Sequence, residues 1–202
     1  DDDDDIGHQL PVFRLHFLRN GVEVLNGTAS FENPYTLKIS SGGSSYDIRG
    51  EKIIVAVGTR PARPPRIPFD GDCIMDTDQL WSLKRDEFPR SVTVVGGGVI
   101  GIEYACAVAA LGSKVTLVEK RPRVLDFVDV EIVEALCYHM RAIDVVFRFG
   151  EEVTIVTRGN GKVVAHLASN KSITSDGLLY AAGRVGNTDA LNLEAAGLQA
   201  DD

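Results

Sequence analysis

In the run VTVVGGGVIGIEYA, Gly96, Gly98 and Gly101 stand at the spacing G-x-G-x-x-G, an arrangement that brings a backbone turn up against a phosphate group. Each glycine has a distinct physical task there. Gly96 permits the tight turn out of a strand, Gly98 removes the Cβ that would hold a pyrophosphate away from a helix start, and Gly101 lets helix and strand pack closely. Gly97, Val99 and Ile100 fill the intervening positions, and unpaired N–H groups at the helix start supply the anion-binding donors. Glu119 lies 23 residues after Gly96, where a carboxylate accepts hydrogen bonds from both hydroxyls of an unphosphorylated ribose. The combination predicts a nicotinamide dinucleotide site that prefers NAD(H). Lys120 and Arg121 follow at once. They are either solvated loop cations or groups that partly neutralise a 2′-phosphate and make the site permissive for NADP(H). Glu103, two residues past the last motif glycine, is either an exposed helix carboxylate favoured by the N-terminal dipole or a group on the path of the dinucleotide. Arg184 reads equally as a surface charge or as a polar contact at the mouth of the site.

These residues need a strand before the glycines, a helix after them and a second strand ending in Glu119. The pattern supplies all three. Ser91 to Val95 and Lys114 to Glu119 are apolar strand-like runs, Val99 to Leu111 reads as a helix, and Val130 to Arg141 reads as another, capped by Asp129. Val145 to Phe149 completes the strand, helix, strand, helix, strand order of a mononucleotide-binding half-fold. The fold class is therefore α/β, a Rossmann-like parallel sheet. On either side the pattern changes. Leu10, Phe13, Phe17 and Leu18 recur at helical spacing up to Asn20-Gly21. Val22 to Leu25, Thr28 to Phe31, Tyr35 to Ile39 and Tyr46 to Ile48 read as a β-meander, and Lys52 to Val57 as a fully buried strand. The proline-rich TRPARPPRIP at 59–68 reads as a domain crossover. Val153 to Val156 and Lys162 to Leu167, split by Arg158-Gly159-Asn160-Gly161, predict a hairpin, and Gly177 to Ala182 a last buried strand.

The composition excludes other classes. With 202 residues, 44% hydrophobic and 25% charged, the chain is that of a globular protein with one or two cores. Of its formal charge of −8, Asp1 to Asp5 supply five. That acidic balance argues against a nucleic-acid partner, and no apolar run reaches a membrane span, so the expected compartment is the cytoplasm. Residues 1–7 are set apart as a tag-like acidic terminus. Cys73, Cys106 and Cys137 lack the spacing of a redox pair or zinc site, and the four histidines show no catalytic or metal-ligand grouping; no catalytic residue and no metal are expected.

IIVAVGTRP, VVGGGVIGIEYA, VTLVEKRPRVL and LLYAAGRVGNTDALNLEAAGL together resemble the flavoprotein disulfide reductase superfamily, whose members carry two dinucleotides. The resemblance implies that Gly58 lies beside FAD, that Gly183 and Arg184 lie near the nicotinamide end, and that Glu103 faces the nicotinamide. Within the superfamily the pattern from Leu178 to Leu191 is most similar to the soluble pyridine nucleotide transhydrogenases, which share glycine at the position of Gly186 where most relatives have proline. By that resemblance the domains run 8–58 (partial FAD-binding), 59–177 (inserted NAD(P)-binding) and 178–202 (return to the FAD-binding part). The chain is expected to be a central fragment, inactive alone, of a homo-oligomer that moves hydride from NADPH through FAD to NAD+. A dihydrolipoamide dehydrogenase-like flavoprotein and a non-catalytic NAD-binding module are the alternatives.

Overall fold

The computed structural model describes residues 13–80, 83 and 88–201. They divide into two units, Asp1–Val57 with Asn187–Asp202, and Gly58–Gly186. The tag-like stretch at 1–7 and Leu10 lie outside the described residues.

In the first unit, residues 13–19 are helical, and the helix stops where Gly21 takes a φ of +68°, a conformation open to glycine. Three antiparallel strands follow, β1 (Thr28–Asn33), β2 (Thr36–Ser41) and β3 (Ser44–Arg49), in the order β1-β2-β3. Phe31 and Ile39 bury the inner face. Leu191 and Asn192 return to this sheet, Phe31 N donating to Leu191 O and Asn192 Nδ2 to Phe31 O, each at 2.8 Å.

Two expected strands are absent from this unit. Val22 to Leu25 is irregular, and Lys52 to Val57 is neither a strand nor buried, Ile54 being 91% exposed. The β-branched pattern of both runs suits a strand, but a strand exists only where a neighbour takes its N–H and C=O groups. No described strand pairs with either run.

The second unit begins with β4 (Thr59–Pro61), a short edge element paired antiparallel with β13 (Arg184–Gly186). Its centre is a five-stranded parallel sheet in the order β5-β12-β6-β7-β8, formed by β5 (Ile74–Asp76), β6 (Ser91–Val95), β7 (Lys114–Glu119), β8 (Val145–Phe149) and β12 (Gly177–Tyr180). A single helical turn, α1 (Thr77–Leu80), follows β5; α2 (Val99–Ala110) follows β6 and α3 (Val130–Ala142) follows β7. The Asp129 side chain caps α3 by accepting from Glu131 N at 2.9 Å. An antiparallel meander of β9 (Val153–Gly159), β10 (Lys162–Leu167) and β11 (Ser172–Ser175) completes the unit. Asn160 and Gly161, both at positive φ, turn the β9–β10 hairpin.

Alternation along the parallel strands builds two cores. Met75, Val92, Val94, Val115, Leu117 and Leu179 pack with Ile102, Ala105 and Val108 of α2 and Val133 and Met140 of α3. Their chain neighbours Ile74, Val95, Val118, Leu178 and Tyr180 pack with Val156, Val163 and Ala165 of the meander. Successive strand residues face opposite sides, so a strand covered on both faces reads as one continuous apolar run. This layering explains SVTVV, KVTLVE and GLLY. β12 lies inside the sheet, between β5 and β6. The expected domain return at 178 would cut that sheet, and the division falls after Gly186 instead.

Candidate functional site

β6 delivers the chain to Gly96, whose N–H donates to Val118 O at 2.9 Å and whose φ is +109°. A Cβ at Gly96 would stand 2.8 Å from Ala181 O. A Cβ at Gly101 would stand 1.9 Å from Gly96 O, so only glycine allows α2 to start this close to the end of β6. Gly98 differs. It is the N-cap of α2 in extended conformation, no side chain caps the helix there, and a Cβ built on it meets nothing within 4 Å. The three glycines thus divide into two that the fold requires and one that faces open space above uncapped backbone donors.

That space joins two clefts. The first, of ≈ 330 Å³, is lined by Gly96, Gly98, Glu119, Lys120, Arg121 and Gly183, among others. The second, of ≈ 240 Å³, is lined by Thr77, Gly98, Val99, Ile100, Ala181, Gly183 and Arg184. Gly98, Ala181 and Gly183 belong to both. Both lie at the carboxyl ends of the parallel strands, beside the start of a helix, where open α/β sheets place their ligands.

Glu119 closes β7 and is 5% exposed. Its Oε2 accepts from Gly97 N at 2.6 Å and from Arg121 Nη2 at 3.0 Å, and its Oε1 accepts from Arg121 N at 2.8 Å and Nε at 2.9 Å. Burial opposes ionisation, but the Arg121 side chain and then the backbone N–H groups of Arg121 and Gly97 outweigh it and hold Glu119 below the usual carboxylate range. Arg121 is correspondingly pushed above the ordinary arginine value, first by its hydrogen bonds to Glu119. Gly97 is sterically fixed as well: a Cβ on it would lie 2.6 Å from Val124 Cγ1 and 2.9 Å from Glu119 Oε2. Its contribution is the N–H that anchors Glu119.

Lys120 points to Glu152, Nζ to Oε2 being 2.9 Å, and Arg66 reaches the other oxygen of the same carboxylate at 3.2 Å. Arg184 holds Thr59 through its Nε and Nη2 and approaches Asp78 at 3.6 Å. Gly183, at a φ of +116°, accepts at its carbonyl from Ala62 N. Glu103 is exposed on α2 and lines neither cleft. Gly58, at a φ of +67° with open space around it, lines neither cleft. Sequence reasoning overlooked Arg66, Glu151 and Glu152 at the first cleft. The pair Glu151-Glu152 follows β8 after a single residue, Gly150, and its place beyond a parallel strand end was a usable signal. Arg66 sits in the proline-rich crossover and gave none.

Residues 9–202 match the family model described as pyridine nucleotide-disulphide oxidoreductase. A soluble pyridine nucleotide transhydrogenase of Mycobacterium bovis (strain BCG / Pasteur 1173P2) is 47% identical over 196 residues, 96% of this chain and 42% of its own. One from Colwellia psychrerythraea is 45% identical over 197 residues, 97% of this chain and 42% of its own. Among solved structures, LpdA from Mycobacterium tuberculosis superposes with a TM-score of 0.86 at 28% identity, over 96% of this chain and 43% of that one. The HOCl-induced flavoprotein disulfide reductase RclA from Escherichia coli gives 0.82 at 28% identity, over 98% and 45%. The chain therefore spans less than half the length of the proteins it matches. A glycine turn, a Rossmann-like parallel sheet and a family match that runs from residue 9 to the last lead to one conclusion: the chain belongs to the pyridine nucleotide-disulphide oxidoreductase family.

Proposed function

We propose that the joined clefts bind a nicotinamide dinucleotide and that the chain is the NAD(P)-binding portion of an FAD-dependent soluble pyridine nucleotide transhydrogenase. The observation that carries the reading is Gly98, open to space where the clefts meet, over a helix start with no side-chain cap. The pyrophosphate binds there, on backbone N–H groups with the favourable end of the helix dipole. The adenosine ribose sits at Glu119 with Lys120 and Arg121, and the nicotinamide end lies along Val99, Ile100, Thr77, Gly183 and Arg184. In the whole protein, bound flavin supplies the relay by which a hydride from NADPH reaches NAD+, leaving NADP+ and NADH. The chain's own residues bind and orient the nucleotide.

The transhydrogenase names of relatives 45–47% identical favour this reading over a dihydrolipoamide dehydrogenase. The flavin contacts of residues 8–58, Gly58 among them, and the approach of Glu103 to the nicotinamide rest on the family likeness. So does a cytosolic homo-oligomer as the form of the whole protein. Among the described residues no helix is long and apolar enough to cross a membrane.

Calorimetric titration of the 202-residue chain with NADH tests the site. We expect saturable one-to-one binding, weakened at least about tenfold in Gly98→Val by exclusion of the pyrophosphate, with the thermal transition unchanged. Equal affinity in that variant would place the phosphates elsewhere.

A further inference from the structure

Glu119 has no acceptor capacity to spare. A carboxylate offers about four lone-pair positions, and Gly97 N, Arg121 N, Arg121 Nε and Arg121 Nη2 occupy four. Two of these donors are backbone groups held by the fold. The other two belong to a guanidinium whose side chain is 40% exposed. A ribose that donates both hydroxyls to Glu119 must therefore take the places that the guanidinium now fills.

The guanidinium has a second anchor. Arg121 Nη1 donates to Asp126 Oδ1 at 2.7 Å, and the Asp126 side chain is 49% exposed, against 6% for that of Glu119. On leaving the buried carboxylate, Arg121 keeps an ionic partner at the surface. No other cation lining the first cleft competes for Glu119, because Lys120 and Arg66 share Glu152.

We propose that Arg121 gates the ribose position, its guanidinium competing with the ribose hydroxyls of NAD(H) for Glu119 while serving as the cationic partner of a 2′-phosphate. The inference deepens the dinucleotide reading and rests on it. In the closed arrangement the guanidinium neutralises Glu119, which removes the repulsion that a bare carboxylate exerts on a phosphate. NAD(H) binding displaces it and NADP(H) binding uses it. One residue thus makes the site permissive by weakening the nucleotide it would otherwise favour. A motif reading in which Glu119 waits unpaired for the ribose predicts no such competition.

The test is titration of the 202-residue chain, and of its Arg121→Ala and Arg121→Gln variants, with NADH and with NADPH. Arg121→Gln keeps side-chain length and a donor, and stands in should the alanine variant fail to fold. Charge-assisted hydrogen bonds of this kind are worth about a factor of ten each way. We expect NADH to bind roughly tenfold tighter in the variants and NADPH roughly tenfold weaker, so that their ratio moves about a hundredfold. Weaker NADPH with unchanged NADH would make Arg121 a phosphate ligand alone and overturn the gate. Equal weakening of both would make it a structural support, with the same consequence. Failure of the unaltered chain to bind either nucleotide would overturn the dinucleotide reading itself, and the gate with it.

Discussion

Replacing Gly101 by alanine places one methyl group against the backbone of the glycine turn. The new Cβ would lie 1.9 Å from Gly96 O and 2.9 Å from Gly96 C, whereas carbon and oxygen in contact stand about 3.3 Å apart. The start of α2 must therefore withdraw by roughly 1.4 Å, the difference of those two distances. It cannot do so freely, because Ile102, Ala105, Val108 and Ala109 are buried against the sheet on the same helix. Overpacking against a backbone atom sits near the upper end of its usual range, about 3 kcal/mol. Alanine returns about 1 kcal/mol through its better helix propensity. The net loss is about 2 kcal/mol, or about 4–8 °C in the transition of a domain of this size. Gly98→Ala is the internal control, since its Cβ meets nothing and its φ of −77° is open to any residue. Thermal unfolding by circular dichroism should separate the two variants, with NADH affinity lowered in both for different reasons. A Gly101→Ala chain as stable as the unaltered one would refute the close-packing argument.

Acid should weaken the fold partly through Glu119. A carboxylate whose folded pKa is depressed contributes stability above its unfolded pKa of about 4.3 and loses it as the pH falls through the lower folded value. Urea midpoints followed from neutral pH to below about pH 4 should fall less steeply for Glu119→Gln, and parallel curves would show that Glu119 is not the group responsible. Arg63 donates from Nε to Asp76 Oδ2 at 2.6 Å, and the Asp76 side chain is 2% exposed while its other oxygen holds the N–H groups of Asp78 and Gln79. Arg63→Met strips that buried oxygen of its charged partner, and because Arg63 itself is half exposed we expect a loss of about 1–2 kcal/mol, read from the urea midpoint at neutral pH.

Local pattern was sufficient wherever a segment's role depends on its own residues. The apolar runs of β6, β7 and β8, the Asp129 cap and the glycine spacing are all properties of short stretches, and the roles assigned to Gly96 and Gly101 correspond to the 2.8 Å and 1.9 Å approaches that a Cβ would suffer there. Partnership was not legible. Lys52 to Val57 has the composition of a buried strand and is exposed, because periodicity reports which faces are apolar and not which neighbour covers them. β12 slots between β5 and β6, a pairing between segments about a hundred residues apart on one side, which no short window contains. Arg66 and Glu152 meet at the cleft across 86 positions of chain. Even Glu119 and Arg121, two residues apart, left their relation open, since spacing says that a guanidinium is near a carboxylate and only packing says where it points. The amino-acid sequence by itself determined the turn, the helix start and the acidic residue that ends the second strand; the tertiary structure decided that this acidic residue is already fully engaged, because packing directs the Arg121 side chain onto it and Gly97 N reaches it only once β6 and β7 are held side by side.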